Sequence, residues 1–270
     1  MLLCHSNKHM MSTEERLWHQ FNKVLGQYQL IGEGDKILAG LSGGKDSLCL
    51  LEFLARRSHI LKPRFTLEAL HIRMTDVSYE SNTDYLESFC HEHGVPLHII
   101  TTSFPTPQSE RMSHGSPAGI QSPSKKPPCF LCSWQRRKQL FNLAQQLGCQ
   151  KIALGHHQDD IIQTTLMNLT FQGHFSTMPA KLVMNKMPLT LIRPLCLCRE
   201  ADIRTYAESR HYQRQLKTCP YENTTNRTTA ADLFARMEQL NPEARYCLWH
   251  ALEADGKLVD EGKSPTLLNP

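Results

Sequence analysis

The chain contains a glycine-rich turn between an apolar segment and a helical pattern. Residues 37–41 are apolar, residues 42–47 read Ser-Gly-Gly-Lys-Asp-Ser, and apolar residues then recur at helical spacing. Glycines let consecutive backbone N–H groups converge on an anion, and a helix that begins at the turn adds unpaired N–H groups and its positive dipole end. This order of strand, turn and helix predicts an α/β protein that binds phosphate through Ser42, Gly43, Gly44, Lys45, Asp46 and Ser47.

Further predicted strands and helices alternate along the chain. Because strands that alternate with helices form right-handed βαβ crossovers, we expect an α/β fold with a parallel sheet and helices on both faces. The periodicity of apolar residues predicts strands at 36–41, 65–72, 97–101, 151–155 and 189–193, and helices at 14–27, 46–57, 82–93, 132–147, 159–171 and 200–211.

The same patterns predict one main domain with two small additions. The main domain is expected at 31–212, after an N-terminal helical segment at 1–30 and before a C-terminal segment at 213–270 that ends in a small helical tail. Residues 103–128 are dense in Ser and Pro and predict a long surface loop. No apolar stretch has the length of a membrane span, so a cytoplasmic protein without a membrane partner is expected.

A second polar turn follows the fourth predicted strand and opens a helix. The carboxyl ends of parallel strands share one edge of a sheet, and ligands bind at that edge. Adjacent carboxylates there bind Mg²⁺ or orient a polar substrate, although Asp159 is also explained as the N-cap of its helix. The candidates at this edge are Gly155, His156, Asp159 and Asp160, together with His71 at the end of the second strand.

The ten cysteines are expected to be reduced thiols, because the start of the chain has no secretion signal. Cys129 and Cys132 form a C-x-x-C pair, which fits half of a zinc site, a redox pair or two ligands of an iron–sulfur cluster. Cys219 lies in a polar, Pro-flanked segment. Core packing is the interpretation for Cys49, Cys90 and Cys149, and for Cys196 and Cys198 on a strand-like segment.

These motifs together resemble those of known enzymes. Residues 42–47 resemble the PP-loop of N-type ATP pyrophosphatases, and residues 155–160 resemble the G-H-x-x-D-D motif of the same enzymes. Arg193-Pro194-Leu195 ahead of Glu200 resembles a third element. The C-x-x-C pair, the residues after it and the late Cys219 resemble the TtcA-type tRNA 2-thiocytidine synthetase family. The resemblance covers most of the chain and implies a Rossmann-like PP-loop fold.

The resemblance implies an ATP-dependent tRNA sulfurtransferase. Such an enzyme adenylates the C2 oxygen of a tRNA pyrimidine and replaces that oxygen with sulfur. The resemblance implies that this pyrimidine is cytidine 32. ATP, Mg²⁺ and a [4Fe-4S] cluster are the implied cofactors, and tRNA and a sulfur donor such as a cysteine desulfurase are the implied partners of a homodimer. The implied cluster ligands are Cys129, Cys132 and Cys219, which leave one iron open, and the implied catalytic residues are these cysteines, Asp46 and Asp160.

Two features depart from the pattern of the family. Glu222 stands where the family commonly has a further cysteine, which makes Glu222 a candidate for contact with the open iron. The long Ser/Pro-rich segment at 103–128 is the second departure, and it bears on which tRNA is chosen.

Basic residues flank the C-x-x-C pair. Alone they are typical of a solvated surface, and the net charge of +4 does not by itself indicate a nucleic-acid partner. Beside a cluster that serves a tRNA enzyme, they become candidates for phosphate contacts. The candidate RNA-binding residues are Lys125, Lys126, Arg136, Arg137 and Lys138.

Two other functions are compatible with parts of the pattern. A ligase similar to tRNA-lysidine synthetase would use the same adenylation with an amine nucleophile, but it leaves Cys129 and Cys132 without a role. A non-enzymatic metal-binding protein on a PP-loop scaffold would explain the cysteines, but it leaves the intact phosphate-binding turn without a role.

Overall fold

The computed structural model describes residues 11–75, 79–80, 82–103, 128–213, 215–217 and 226–262. Of these, residues 79–80, 128–129 and 216–217 are described by their backbone alone. The expectations for Lys125, Lys126, Cys219, Glu222 and most of the segment 103–128 concern residues outside this description.

The described residues form eight helices and nine strands, which we number in chain order. The helices are α1 (Thr13–Gln27), α2 (Lys45–Ser58), α3 (Thr83–Glu92), α4 (Pro128–Gln146), α5 (Gln158–Gln172), α6 (Glu200–Ser209), α7 (Asn226–Leu240) and α8 (Ala244–Ala254). The strands are β1 (Asp35–Gly40), β2 (Phe65–Met74), β3 (Tyr79–Glu80), β4 (Leu97–Thr102), β5 (Lys151–Ala153), β6 (Lys181–Val183), β7 (Thr190–Ile192), β8 (Leu216–Lys217) and β9 (Val259–Asp260).

Seven of these strands form one sheet in the order β4-β2-β1-β5-β7-β6-β9. The five strands from β4 to β7 are mutually parallel, which confirms the predicted fold class. Strand β6 runs antiparallel to β7 and carries β9 at the edge of the sheet, while β3 pairs with β8 in a separate antiparallel ribbon. Strands β3, β6, β8 and β9 were absent from the predicted set because their pairing depends on a neighbouring strand and leaves no pattern in their own few residues.

Helices cover both faces of the sheet because successive strand residues point to opposite sides. Leu38, Leu70 and Ile152 pack on one face against the apolar side of α4. Ile37 and Ala39, together with neighbouring strand residues, pack on the other face in a larger cluster that includes residues of α1, α2, α6 and α8. Ser12 caps α1 through a capping box with Glu15, so the N-terminal helix is part of this core rather than a loose extension.

The C-terminal segment is more ordered than the predicted small tail. Helices α7 and α8 bury Phe234 and Trp249, and α7 packs on α5. Cys196 and Cys198 lie in a turn rather than on the predicted strand-like segment, yet both are fully buried, as core packing requires. Among the helices of the described residues, none has the length and hydrophobicity needed to span a bilayer.

Candidate active site

The glycine-rich turn connects the carboxyl end of β1 to α2. Within it, the two serine hydroxyls lie 3.1 Å apart, the Gly44 N–H donates to Ser42 Oγ at 3.3 Å, and the Ser47 hydroxyl donates to the Gly44 carbonyl at 2.9 Å. Gly44 is the N-cap residue of helix α2, and no side chain caps this end of the helix. The turn therefore presents backbone N–H groups and hydroxyls in the arrangement that suits an anion.

Gly43 adopts a left-handed backbone conformation and meets a distant part of the chain. Its φ angle is +80°, and a Cβ at this position would stand 2.0 Å from Gln215 Cγ. The Gln215 N–H donates to the Gly43 carbonyl at 3.1 Å. The chain thus returns to the phosphate-binding turn four residues before Cys219, although Cys219 itself lies outside the described residues.

The second polar turn packs directly on the first. An ideal Cβ on Gly155 would lie 3.0 Å from the carbonyl carbon and oxygen of Asp46, so only glycine permits this approach of the two backbones. Because β1 and β5 are neighbours in the sheet, the two turns meet at its carboxyl edge. The order of strands and turns in the sequence predicted that the two turns share one edge of the sheet. The contact between their backbones, at Gly155 and Asp46, is seen only in the structure.

His157 joins the carboxylates of the two turns. It is the N-cap of α5, where its Nδ1 accepts from the Asp160 N–H at 3.4 Å and Asp160 Oδ2 accepts from the His157 N–H at 3.0 Å. The interpretation of Asp159 as the N-cap was therefore wrong, since α5 begins one residue earlier. His157 Nε2 lies 3.8 Å from Asp46 Oδ1 and 3.5 Å from Asp160 Oδ2, so one imidazole faces a carboxylate from each turn.

The carboxylates of Asp46, Asp159 and Asp160 differ in the number of hydrogen bonds and ion pairs that they make with other groups of the protein. Asp159 accepts the Glu200 N–H at 2.7 Å and the Arg245 guanidinium at 2.8 Å, so both of its oxygens are engaged. Asp160 pairs with Arg227 at 3.0 Å. Asp46 Oδ2 accepts a hydrogen bond from the Lys45 ammonium at 3.2 Å. Its buried Oδ1 has no hydrogen-bond partner within the part of the chain that the structure describes and makes only an ion pair with the same ammonium. Asp46 thus keeps one oxygen free of hydrogen bonds, beside a lysine that a ligand could displace.

Lys45 bridges the phosphate-binding turn to α6. Its ammonium lies 3.2 Å from Asp46 Oδ1 and 3.1 Å from Glu200 Oε1. Burial alone would raise the pKa of Glu200, but the hydrogen bond and charge of Lys45, with help from Arg204, hold that pKa below its ordinary value. Glu200 is thus an anion that positions Lys45, a role that no local sequence pattern indicates.

The buried His71 and the half-buried His156 lie at the same edge as neutral rings. His71 Nδ1 donates to the Leu41 carbonyl at 2.8 Å, and burial lowers the pKa of His71, with a smaller effect from the nearby charge of Arg136. His156 Nδ1 accepts from Arg193 Nε at 3.3 Å. Burial, followed by the charge of Arg193, lowers the pKa of His156 to about 4.

The C-x-x-C pair lies in the first turns of α4, which begins four residues before its predicted start. Cys132 is half-buried and packs with Met74 and Ile72 at the carboxyl end of β2. The phosphate-binding turn follows the carboxyl end of β1, at the same edge of the sheet. The side chain of Cys129 is outside the described part of the chain. Among the described residues, no group of three or more His, Cys, Asp or Glu side chains has an arrangement that could hold a metal ion. Two of the three expected cluster ligands, Cys129 and Cys219, have side chains outside the described residues.

The same helix presents basic and aromatic side chains to solvent. Arg137 and Lys138 are exposed, Arg136 is half-buried, and the Lys138 ammonium lies 5.4 Å from the ring centre of the exposed Trp134. Lys125 and Lys126 lie outside the described residues. The sequence patterns did not single out Trp134, yet an exposed aromatic ring beside cations is typical of RNA-binding surfaces.

Comparison with known proteins identifies the family. The model of the PP-loop domain family matches residues 13–230. A tRNA-cytidine(32) 2-sulfurtransferase of Chromohalobacter salexigens is 31% identical over 252 residues, which are 92% of this chain and 84% of the relative. The corresponding protein of Pseudomonas syringae is 31% identical over 255 residues, which are 92% of this chain and 89% of the relative.

The chain belongs to the tRNA-cytidine(32) 2-sulfurtransferase family of PP-loop proteins. This confirms the resemblance of the motifs, and it makes the chain an enzyme by family membership. The U34-tRNA thiolase NcsA from Methanococcus maripaludis, solved with its [4Fe-4S] cluster, superposes with a TM-score of 0.68 at 23% identity over 90% of this chain and 79% of that chain. At this identity the likeness to the thiolase supports the fold of this sulfurtransferase family member.

Proposed function

We propose that this chain is an ATP-dependent tRNA sulfurtransferase that replaces the C2 oxygen of cytidine 32 with sulfur, the position named for its relatives. One observation carries the proposal: two turns suited to phosphate and to polar groups meet at one sheet edge, where His157 faces Asp46 and Asp160. A site that must bring ATP and a second polar substrate together requires such a junction.

ATP fits the glycine-rich turn by its charge and geometry. The uncapped start of α2 would receive the phosphates, and Lys45 would exchange part of its contact with Glu200 for phosphate oxygens. Asp46 would hold Mg²⁺ because its buried Oδ1 has no hydrogen-bond partner among the described residues. A magnesium ion supplies positive charge that offsets the negative charge of the phosphates.

The proposed reaction has two steps whose atoms balance. The C2 oxygen of the pyrimidine attacks the α-phosphate, the bond between the α- and β-phosphates breaks, and pyrophosphate leaves. A sulfur nucleophile then adds to C2, and the former C2 oxygen leaves as part of AMP. His156 and His157, held by Arg193 and Asp160, would donate hydrogen bonds to the negative charge that develops at the phosphate.

We propose Cys129, Cys132 and Cys219 as the residues that would hold a [4Fe-4S] cluster. The position of Cys132 at the carboxyl end of β2 and the return of the chain to Gly43 at Gln215 support this set, because Gln215 precedes Cys219 by four residues in the sequence and lies at the same sheet edge as Cys132. When bound, such a cluster supplies an iron site at which sulfur can be held. Glu222 stays a candidate for contact with it.

The exposed side of α4 is the proposed first contact surface for tRNA. Arg137, Lys138 and Trp134 combine two cations with an aromatic ring, and they follow Cys132 on the same helix. Arg136, Lys125 and Lys126 are proposed to extend this surface. A sulfur donor such as a cysteine desulfurase, a homodimeric state and a cytoplasmic location complete the proposal.

An anaerobic single-turnover assay tests this function. The reconstituted protein is mixed with ATP, Mg²⁺, sulfide and unmodified tRNA, and the products are AMP, pyrophosphate and 2-thiocytidine by mass analysis. Asp46→Ala should lose at least about a hundredfold in rate, whereas Asp255→Ala, at an exposed residue directly after α8, serves as the matched control. Cleavage of ATP to ADP, or AMP without a thiolated nucleoside, would exclude the proposed reaction.

A further inference from the structure

A second pocket, of about 410 Å³, lies between α1 and α8. We call it the α1–α8 pocket. Its buried part is formed by Gln158, Arg245 and Trp249, each less than a tenth exposed. Its outer part is formed by exposed residues of α1, of α8 and of the segment before α6. The volume is in the range of pockets that hold small molecules, and no step of the proposed reaction uses it.

Two cations of the pocket lack a counter-charge. Lys23 on α1 and Arg199 just before α6 are exposed, and neither has an ion-pair partner among the described residues. Arg245 differs, because Asp159 and Glu238 pair with it at 2.8 and 2.9 Å. The outer part of the pocket therefore carries two positive charges that are available to an anion.

The one acidic residue of the pocket is already engaged. Glu253 Oε1 accepts from Gln27 at 2.6 Å, from Tyr28 at 2.7 Å and from the indole N–H of Trp249 at 3.2 Å. Its charge reduces the positive potential of the pocket but leaves Lys23 and Arg199 without a direct partner. The balance of charge favours a singly or doubly negative ligand.

The pocket also offers an aromatic surface and an unused polar group. The Tyr246 ring is 67% exposed at the rim. Gln20 lines the pocket, and its buried Oε1 has no hydrogen-bond partner within the described part of the chain. A ring for stacking, cations for phosphate and an amide for a base edge are the groups that recognise a nucleotide.

The pocket and the candidate active site share the first turn of α5. Gln158 begins α5 and contacts Arg245 at 3.3 Å, while Asp159 in the next position also binds Arg245. Arg199 precedes Glu200, whose carboxylate contacts Lys45 of the phosphate-binding turn. An RNA strand that occupies the pocket would therefore contact residues that directly precede residues of the candidate active site: Gln158 precedes Asp159, and Arg199 precedes Glu200.

We propose that the α1–α8 pocket binds a nucleotide of the tRNA substrate other than the one that reacts. Its base stacks on Tyr246, and its phosphate lies against Lys23 and Arg199. This inference rests on the proposed tRNA substrate. The concave shape and the unpaired cations favour a nucleotide over a protein partner, which would require a flatter and larger surface.

The test compares charge reversal inside and outside the pocket in the full-length protein. The variant K23E/R199E removes the two free cations, and R64E/K186E makes the same change of net charge at exposed positions beside the opposite edge of the sheet. Dissociation constants for tRNA are measured at several salt concentrations. We expect K23E/R199E to weaken tRNA binding at least tenfold and to reduce the slope of log affinity against log salt by about 0.7 to 0.9 per lost contact. R64E/K186E should retain both values.

A second variant separates stacking from charge. Tyr246→Ala should weaken tRNA binding about tenfold without a change in the salt slope, while Tyr246→Phe should bind as the unmodified protein does. If K23E/R199E binds tRNA with wild-type affinity while the unmodified protein thiolates tRNA, the pocket does not bind a tRNA nucleotide, and the proposed function still holds. Slower thiolation at unchanged tRNA affinity, or weaker binding of free AMP alone, would assign the pocket to another ligand. Absence of tRNA binding by the unmodified protein would reject the proposed function itself.

Discussion

Arg193 donates a hydrogen bond from Nε to Nδ1 of His156 at 3.3 Å, which places the ring proton on Nε2. A second guanidinium nitrogen of Arg193 donates to the Pro179 carbonyl, so the cation is held in place. Burial lowers the pKa of Arg193 to about 10, which leaves it charged at neutral pH. The pair thus fixes His156 as a neutral donor at the edge of the candidate active site.

This pair makes the free energy of unfolding depend on pH. The ordinary pKa of His156 is 6.5 and its folded-state pKa is about 4, so the unfolded chain takes up this proton first as the pH falls. The contribution of the neutral ring to the free energy of unfolding is fully present above about pH 6.5 and is lost as the pH falls to about 4. The loss is about 3 kcal/mol at most. Urea unfolding at a series of pH values measures this free energy. His156→Gln should flatten this part of the profile; a profile identical to that of the unmodified protein would contradict the assignment.

Gly155→Ala should separate the two turns. The new Cβ would lie 3.0 Å from backbone atoms of Asp46, which cannot move aside as a flexible side chain does. We expect KM for ATP to rise at least about tenfold while the protein stays folded. Gly26→Ala is the matched control, because Gly26 lies in α1 with no atom within 4 Å of the added methyl group. That control should stabilise the protein by about 0.5 to 1 kcal/mol, and KM should stay unchanged. An unchanged KM in Gly155→Ala would mean that the contact has no role in ATP binding.

Removal of the Arg245 guanidinium should destabilise the protein. Arg245 is buried between Asp159 and Glu238, so Arg245→Met leaves two carboxylates without their partner. We expect a loss of about 3 kcal/mol in the free energy of unfolding, measured by urea titration. Lys257→Met removes an exposed pair with Asp255 and should cost less than about 0.5 kcal/mol. Equal effects of the two substitutions would show that α8 is not anchored through Asp159.

The cysteines should separate into two classes. Cys129→Ala, Cys132→Ala and Cys219→Ala should each lose the visible absorbance of the cluster after anaerobic reconstitution, because iron–sulfur clusters need thiolate ligands. Cys247→Ala, at an exposed position of α8, should keep that absorbance. Cys49→Ala should keep it as well but should lower stability, since Cys49 is fully buried in the core. A complete cluster in Cys219→Ala would transfer the third ligand role to Glu222 or another residue.

The strong periodic segments of the sequence predicted most of the fold. The six helices and five strands that were predicted are present with boundaries that shift by a few residues, because long amphipathic patterns bury one face whatever their partner is. Strands β6 and β9 could not be predicted, since their pairing depends on a neighbouring strand rather than on their own residues. Helix α4 begins at Pro128 because proline is tolerated in a first helical turn.

The contacts that build the site were less accessible to sequence reasoning. The polar turns were found because glycines, carboxylates and histidines stand together at strand ends. The residues that hold those turns lie far away along the chain: Glu200 beside Lys45, Gln215 beside Gly43 and Arg245 beside Asp159. Such pairings follow from the topology of the sheet and leave no local pattern. The sequence therefore indicates the candidate site residues, and the structure adds the residues that hold them in position.

The fate of the C2 oxygen distinguishes adenylation of the base from other routes to 2-thiocytidine. A tRNA that carries a heavy-oxygen label at C2 of cytidine 32, the position named for the relatives, is thiolated in a single turnover with ATP and sulfide. If ATP adenylates the base, the label appears in AMP in a one-to-one ratio with the 2-thiocytidine formed. Thiolated tRNA with unlabelled AMP would contradict adenylation of the base.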